Sequence, residues 1–235
     1  MMRSRRARLS VALCMAVLSA LLLALGVWQL QRLQWKNALV AQVDARVHAA
    51  PVAPPAPSGW PGLTREQDEY RRLRLEGQFD DNGATLVQAS TVLGPGYWVL
   101  TPFRLGDGTK VLVNRGFIAS RNAAPAGAQH VAITGLLRMS ERNKPLLREN
   151  DPASGRWYTR NVEAIAAARG MGPVAPYFLD QEATQPALPG VPVGGLTVIA
   201  FNNHHLLYAL TWFALSLMAA AGCVLVARSG RTSTS

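Results

Sequence analysis

Cysteine is nearly absent from this chain. Two occur in 235 residues, Cys14 and Cys223, and both fall inside long apolar runs. The stretch between the runs has none, so no disulfide staples it. With no CxxCH, covalent attachment of a c-type haem is excluded. The two thiols are read as small apolar residues of their helices. Also missing are GxSxG, HExxH, the phosphate-binding P-loop and GxGxxG. Histidine is sparse: His48, His130, His204 and His205. His48 and His130 have no cysteine or carboxylate at metal-ligand spacing. Nothing in these absences favours an enzyme, and a non-catalytic role is expected.

Acidic residues are few, 14 against 24 basic, for a formal charge of +10. The excess is not a nucleic-acid footprint. Arg3, Arg5, Arg6 and Arg8 precede the first apolar run, Arg32 and Lys36 follow it, and Arg228 and Arg231 follow the second. Residues 37–200 hold 16 basic and 14 acidic side chains, with no basic stripe interleaved with aromatics.

What the chain does have is two uncharged apolar runs, LSVALCMAVLSALLLALGVWQL (9–30) and LLYALTWFALSLMAAAGCVLVA (206–227). At about 1.5 Å per residue, each spans the roughly 30 Å hydrocarbon core of a bilayer. The first is longer than a signal-peptide core and runs on into helical sequence, so it is read as an uncleaved anchor. Basic residues at both termini place both ends in the cytoplasm and send the middle across the membrane. The expected layout is a basic N-terminus (1–8), a first span (9–30), a helical extension (31–49), a proline-rich linker (50–62), an exported domain (63–203), a second span (204–227) and a cytoplasmic tail (228–235).

Five prolines in residues 50–62 predict a stiff, extended linker. Period-two alternation predicts strands over 70–79, 84–90, 96–105, 110–118, 130–138, 176–180 and 196–201. Gly106-Asp107-Gly108-Thr109 marks a hairpin. Residues 161–170 read as a helix capped by Asn161 and closed by Gly170. Residues 186–195 read as an irregular approach to the last strand. The acidic clusters Glu66-x-Asp68-Glu69 and Asp80-Asp81 are assigned to turns and solvated faces. The fold class is a membrane protein: two transmembrane helices flank an exported, mainly-β (α+β) domain, a small sheet or open barrel with one short helix.

His204 and His205 stand at the doorway of the second span. Tyr208 and Trp212 lie further along the same helix, and Trp28 and Trp35 mark the corresponding level of the first. One reading is an interfacial belt, since such side chains favour the headgroup zone. The other uses neutral imidazole as a haem-iron ligand. A porphyrin would then lie between the spans beside aromatic rings, with Arg32, Lys36 or Arg115 meeting its propionates.

GVWQLQRLQWK (26–36), YRRLRLEGQFD (70–80), GPGYWVLTPFRLGDGTKVLVNRGFI (94–118), PYFLD (176–180) and NHHLLYALTWFALS (203–216) occur in this order. Together they resemble the Surfeit locus protein family, assembly factors for haem-copper cytochrome c oxidase. Phe117 departs from that pattern, standing where the family often has Trp. The resemblance implies maturation of oxidase subunit I in a bacterial inner membrane, with haem a as transient cargo. Aligned on H-L-x-Y-A, the signature histidine is His205, with His204 as its surrogate. Trp28, Tyr208 and Trp212 would line the porphyrin. The exported domain would work against subunit I or the haem a synthase.

Overall fold

A computed structural model describes residues 2–121, 130–142, 148–183, 191–197 and 204–228. The chain divides into two compact units, residues 43–199 and the pair of segments 1–42 and 200–235. Helix α1 runs without a break from Met2 to His48. Leu- and Ala-rich sequence with no proline sustains it, and Pro51 closes the path beyond its end. The expected helical extension past residue 30 is therefore part of the same helix.

The last turns of α1 belong to the β unit, where Val43 is buried and Arg46 Nη1 donates to the Glu66 carbonyl at 2.7 Å. The proline-rich stretch after it is only partly extended. Pro57–Gly62 winds into a 3-10 helix. Val52 forms a parallel bridge with Leu73, its N–H donating to Arg72 O at 3.0 Å and its carbonyl accepting from Arg74 at 2.9 Å. This linker is thus fastened to the first strand. One turn of helix, α2 (Arg65–Asp68), capped by Thr64, precedes that strand.

Six strands follow: β1 (Arg72–Phe79), β2 (Thr85–Thr91), β3 (Gly94–Leu105), β4 (Lys110–Ile118), β5 (His130–Met139) and β6 (Tyr177–Gln181). Their order is β1-β5-β6-β4-β3-β2, and an extra β1–β3 pairing curls the sheet round into a barrel with β2 outside it. β3 makes closure possible by changing partners. Its first part pairs with β2, and Phe103–Leu105 pair with β1. β4 and β6 run parallel.

Both central strands are buried on both faces. Val111, Val113, Tyr177 and Leu179 point into the barrel with Leu73, Leu75 and Phe103. Leu112 and Phe178 point outward to a second core with Trp157 and helix α3 (Val162–Ala168). Asn161 caps α3, accepting from Ala164 N–H at 3.0 Å, and Gly170 adopts φ 58 just after it. The run of three apolar side chains in β4, Val111, Leu112 and Val113, is explained by this double burial.

Beyond Asn114 and Asp180, β4 and β6 part, and a returning segment fills the gap. Val193 and Phe117 exchange two backbone hydrogen bonds of 2.9 Å, and Gly195 N–H donates to Gln181 O at 3.0 Å. Gly116 permits this. It sits at φ 130, and a Cβ there would collide with the Val193 carbonyl. The expected strand at 196–201 is not seen at Leu196 and Thr197, while residues 198–201 lie outside the described part, as do 184–190.

Helix α4 (His205–Arg228) pairs with α1 in an antiparallel hairpin. The more shielded positions repeat at alternating three- and four-residue steps: Ala12, Met15, Ser19, Leu22, Gly26 and Gln29 on α1, and His205, Ala209, Trp212, Ser216, Ala219 and Cys223 on α4. This is the seam of a left-handed coiled coil. Small residues bring the backbones close. A Cβ on Gly26 would collide with the Phe213 ring, and one on Gly222 would press on Met15 at 3.1 Å. Ser19 Oγ donates to Ser216 O at 3.0 Å and Ser216 Oγ to Ser19 O at 2.9 Å. Cys223 Sγ donates to Ala12 O at 3.2 Å, and Cys14 is exposed.

Candidate functional site

At one end of the helical seam, His205 Nδ1 lies 2.8 Å from Gln29 Oε1. With the Gln29 amide oxygen turned toward it, Nδ1 is the donor of this contact and Nε2 keeps its lone pair. Nε2 has no hydrogen-bond partner among the described residues. Gln29 closes the apolar run of α1, and His205 opens α4. The pair therefore sits where the hairpin passes from apolar to polar sequence.

The neighbouring residues fall into distinct roles. Trp28 and Tyr208 are each 54% exposed, presenting rings on the outer flanks of the hairpin. Trp212 is half-buried and His204 exposed. Arg32 stacks its guanidinium 4.2 Å from the Trp35 ring centroid. Lys36 is partly shielded on the same helix. The seam between the helices is closely packed where Gly26 meets the Phe213 ring. The available aromatic surface faces outward.

These residues fit a haem in three respects. The imidazole Nε2 is unpartnered while Nδ1 faces an acceptor, two large rings are exposed beside it, and a cation lies one turn along α1. Arg115, expected among the propionate-binding cations, has another task. On β4 its Nη1 donates to Asp81 Oδ1 at 2.7 Å and its guanidinium lies 4.2 Å from the Phe79 ring centroid. Burial pulls its pKa down, against the opposing pull of Asp81.

The β unit holds a second polar cluster that the acidic-turn reading missed. Asp68 and Glu69 are buried, at 7% and 4% exposure, rather than solvated. Glu69 Oε1 accepts from Arg138 Nε at 2.9 Å. Arg138 Nη1 reaches Asp180 Oδ2 at 2.8 Å, and Arg160 Nη1 reaches Asp180 Oδ1 at 3.2 Å. Arg160 Nη2 is paired with Glu141 at 2.6 Å. Asn114 and Thr197 complete the shell of Asp180 at 2.8 and 3.0 Å. Arginine and carboxylate alternate throughout, and with Arg65 Nη1 3.2 Å from Glu69 three arginines face three carboxylates, so the cluster neutralises itself. Burial opposes the charge of Arg138, but Asp180 and Glu69 outweigh it and raise its pKa. Tyr70, at φ 66 beside this cluster, is held there by Arg138 over its ring and by its N–H donating to Leu137 O at 2.8 Å. The arrangement is a structural clamp. Among the described residues no three His, Cys, Asp or Glu side chains gather as a metal site.

Sequence reasoning assigned no role to Gln29, although it quoted the residue inside GVWQLQRLQWK. The available signal was the first amide at the end of the apolar run of α1. Two helices are long and apolar enough to cross a membrane among the described residues.

Comparison with known proteins agrees with this layout. The SURF1 family model matches residues 16–217. The chain is 34% identical over 213 residues to Surfeit locus protein 1 of Mus musculus, covering 81% of this chain and 67% of that protein. It is 34% identical over 215 residues to the Homo sapiens protein of the same name, covering 82% and 69%. A SURF1-like protein of Monosiga brevicollis is 33% identical over 225 residues, covering 88% and 83%. The match takes in both membrane-type helices and the β unit between them, and the chain belongs to the SURF1 family.

Proposed function

We propose that this protein is an assembly factor for haem-copper cytochrome c oxidase that carries haem a and aids its insertion into subunit I. Family membership supports the assembly role. The observation that supports haem carriage is His205, whose Nε2 is unpartnered at the mouth of the hairpin. In this reading His205 ligates iron, Trp28, Tyr208 and Trp212 flank the macrocycle, and Arg32 and Lys36 meet the propionates. A carrier has to release its cargo, so one ligand on an outward surface suits it better than an enclosed site. Basic residues at both ends support cytoplasmic termini and a β unit on the exported side of a bacterial inner membrane. There it meets subunit I or the haem a synthase.

The test is the visible spectrum of detergent-purified protein made together with haem a synthesis enzymes. Wild type, His204→Ala and His205→Ala are compared, with pigment extraction to identify the haem. The expected result is a haem a spectrum lost only in His205→Ala. A colourless wild type that still associates with subunit I overturns haem carriage and leaves a haem-independent scaffold.

A further inference from the structure

We propose that Gln29 is a positioning residue that fixes the tautomer of His205 and so aims Nε2 outward as a ligand. The inference rests on the reading of His205 as the haem-iron ligand. It adds a residue on the other helix, 176 positions away, through which the ligand is prepared.

The argument starts from imidazole chemistry. A neutral histidine carries its proton on either ring nitrogen, and only the bare nitrogen binds a metal. An unconstrained side chain divides between the two forms. A hydrogen-bond acceptor facing Nδ1 removes that freedom, leaving the lone pair on Nε2. Such outer partners orient metal-binding histidines and raise their basicity. Gln29 Oε1, 2.8 Å from Nδ1, is in that position.

The seam explains why a glutamine reaches. Gly26 lies one turn before Gln29 on the same face, and its missing side chain lets Phe213 pack onto the α1 backbone. Ala209, fully buried, continues the close approach between Phe213 and His205. The small residues thus set the helix separation at which an amide spans to an imidazole. A glutamine elsewhere at this boundary would turn its amide to water. Here the two polar groups satisfy one another, and one imidazole nitrogen is left over.

The experiment uses the full chain in lipid nanodiscs, haem-free, with ¹⁵N-labelled histidine. Long-range proton–nitrogen correlation is recorded above the imidazole titration range, and His205 is assigned by its loss in His205→Ala. The wild type is expected to show a single form, protonated at Nδ1. Gln29→Leu is expected to show a mixture. Gln29→Glu keeps an acceptor and restores the single form, which separates tautomer control from damage to the hairpin. In parallel, haem retention is measured for each variant. Gln29→Leu should bind about 10- to 100-fold more weakly than wild type, the range for loss of an outer-sphere partner, and Gln29→Glu should recover.

A wild type protonated at Nε2 overturns the inference, because the amide would then face Nδ1 with its NH₂ group and leave no ligating nitrogen outward. Unchanged haem retention in Gln29→Leu overturns it too. Failure of the haem reading looks different: Nδ1 protonation as expected, but His205→Ala retaining as much haem as wild type, or wild type retaining none. That outcome leaves the tautomer assignment standing and removes its purpose.

Discussion

Replacing Asp180 with alanine offers the sharpest test of the reasoning about the β unit. The carboxylate is 5% exposed and accepts hydrogen bonds from Asn114, Arg138, Arg160 and Thr197. Its loss leaves two half-buried guanidinium groups short of an acceptor. Breaking one partner out of a buried ion pair costs about 3–5 kcal/mol. Arg138 keeps Glu69 and Arg160 keeps Glu141, which pulls the figure to the lower end. The orphaned Asn114 amide adds about 1 kcal/mol. The sum is about 4 kcal/mol. For a unit of this size each kcal/mol moves the midpoint by about 2–4 °C, so a fall of roughly 8–16 °C is expected. The assay is thermal unfolding of the full chain in detergent, followed by near-UV circular dichroism of the packed rings of Trp98 and Trp157. Glu76→Ala, which breaks an exposed pair with Arg74, is the control and should move the midpoint by less than about 2 °C. An Asp180→Ala shift no larger than the control would refute the claim that the cluster is desolvated and clamps the barrel.

Other consequences are equally open to measurement. Gly116→Ala forces a Cβ into the Val193 carbonyl at a φ of 130. It should destabilise the β unit by about 2 kcal/mol or more and speed amide exchange at Phe117 and Val193. Burial pushes the Glu141 carboxyl up, but Arg160 outweighs it and holds the pKa below the ordinary value. The unfolded chain therefore takes up this proton more readily, and the stabilisation present at neutral pH is lost as pH falls through the folded-state pKa. Midpoints measured against pH should fall less steeply on the acid side in Glu141→Gln. Ser19→Ala and Ser216→Ala, taken through a double-mutant cycle of hairpin stability, should couple by about 0.6 kcal/mol.

The parts of this fold that were legible are those written in local pattern. Alternation and short apolar runs located β1 to β6 to within two residues at each end, because each strand turns at least one face into a core. The cap and stop of α3 were readable from Asn161 and Gly170. What could not be read depends on partners far apart in the chain. Glu69 looked like a turn residue because its counter-charge, Arg138, is 69 positions away. The parallel β4–β6 pair was hidden because burial on both faces erases alternation. Val52 was hidden in the linker, since proline density signals an extended chain but not what that chain pairs with. At the candidate site, the histidine was visible from its place at the edge of a span. Its partner was not, because hairpin register, set by Gly26 and the serines, decides which residue of α1 faces it.

The returning segment at Val193–Thr197 also constrains the order in which the molecule is made. In the proposed topology, β1, β3 and β5 can pair as soon as they emerge on the far side of the membrane. The wedge between β4 and β6 and the last ligand of Asp180 cannot form until Thr197 has crossed, and α4 starts only eight residues later. Completion of the barrel and arrival of the second helix are therefore nearly simultaneous events in biosynthesis. Until then the chain is held by α1 alone, with the two facing edges of β4 and β6 uncovered. A translocation stall shortly before Val193 should leave a product anchored in the bilayer but open to proteolysis along those strands.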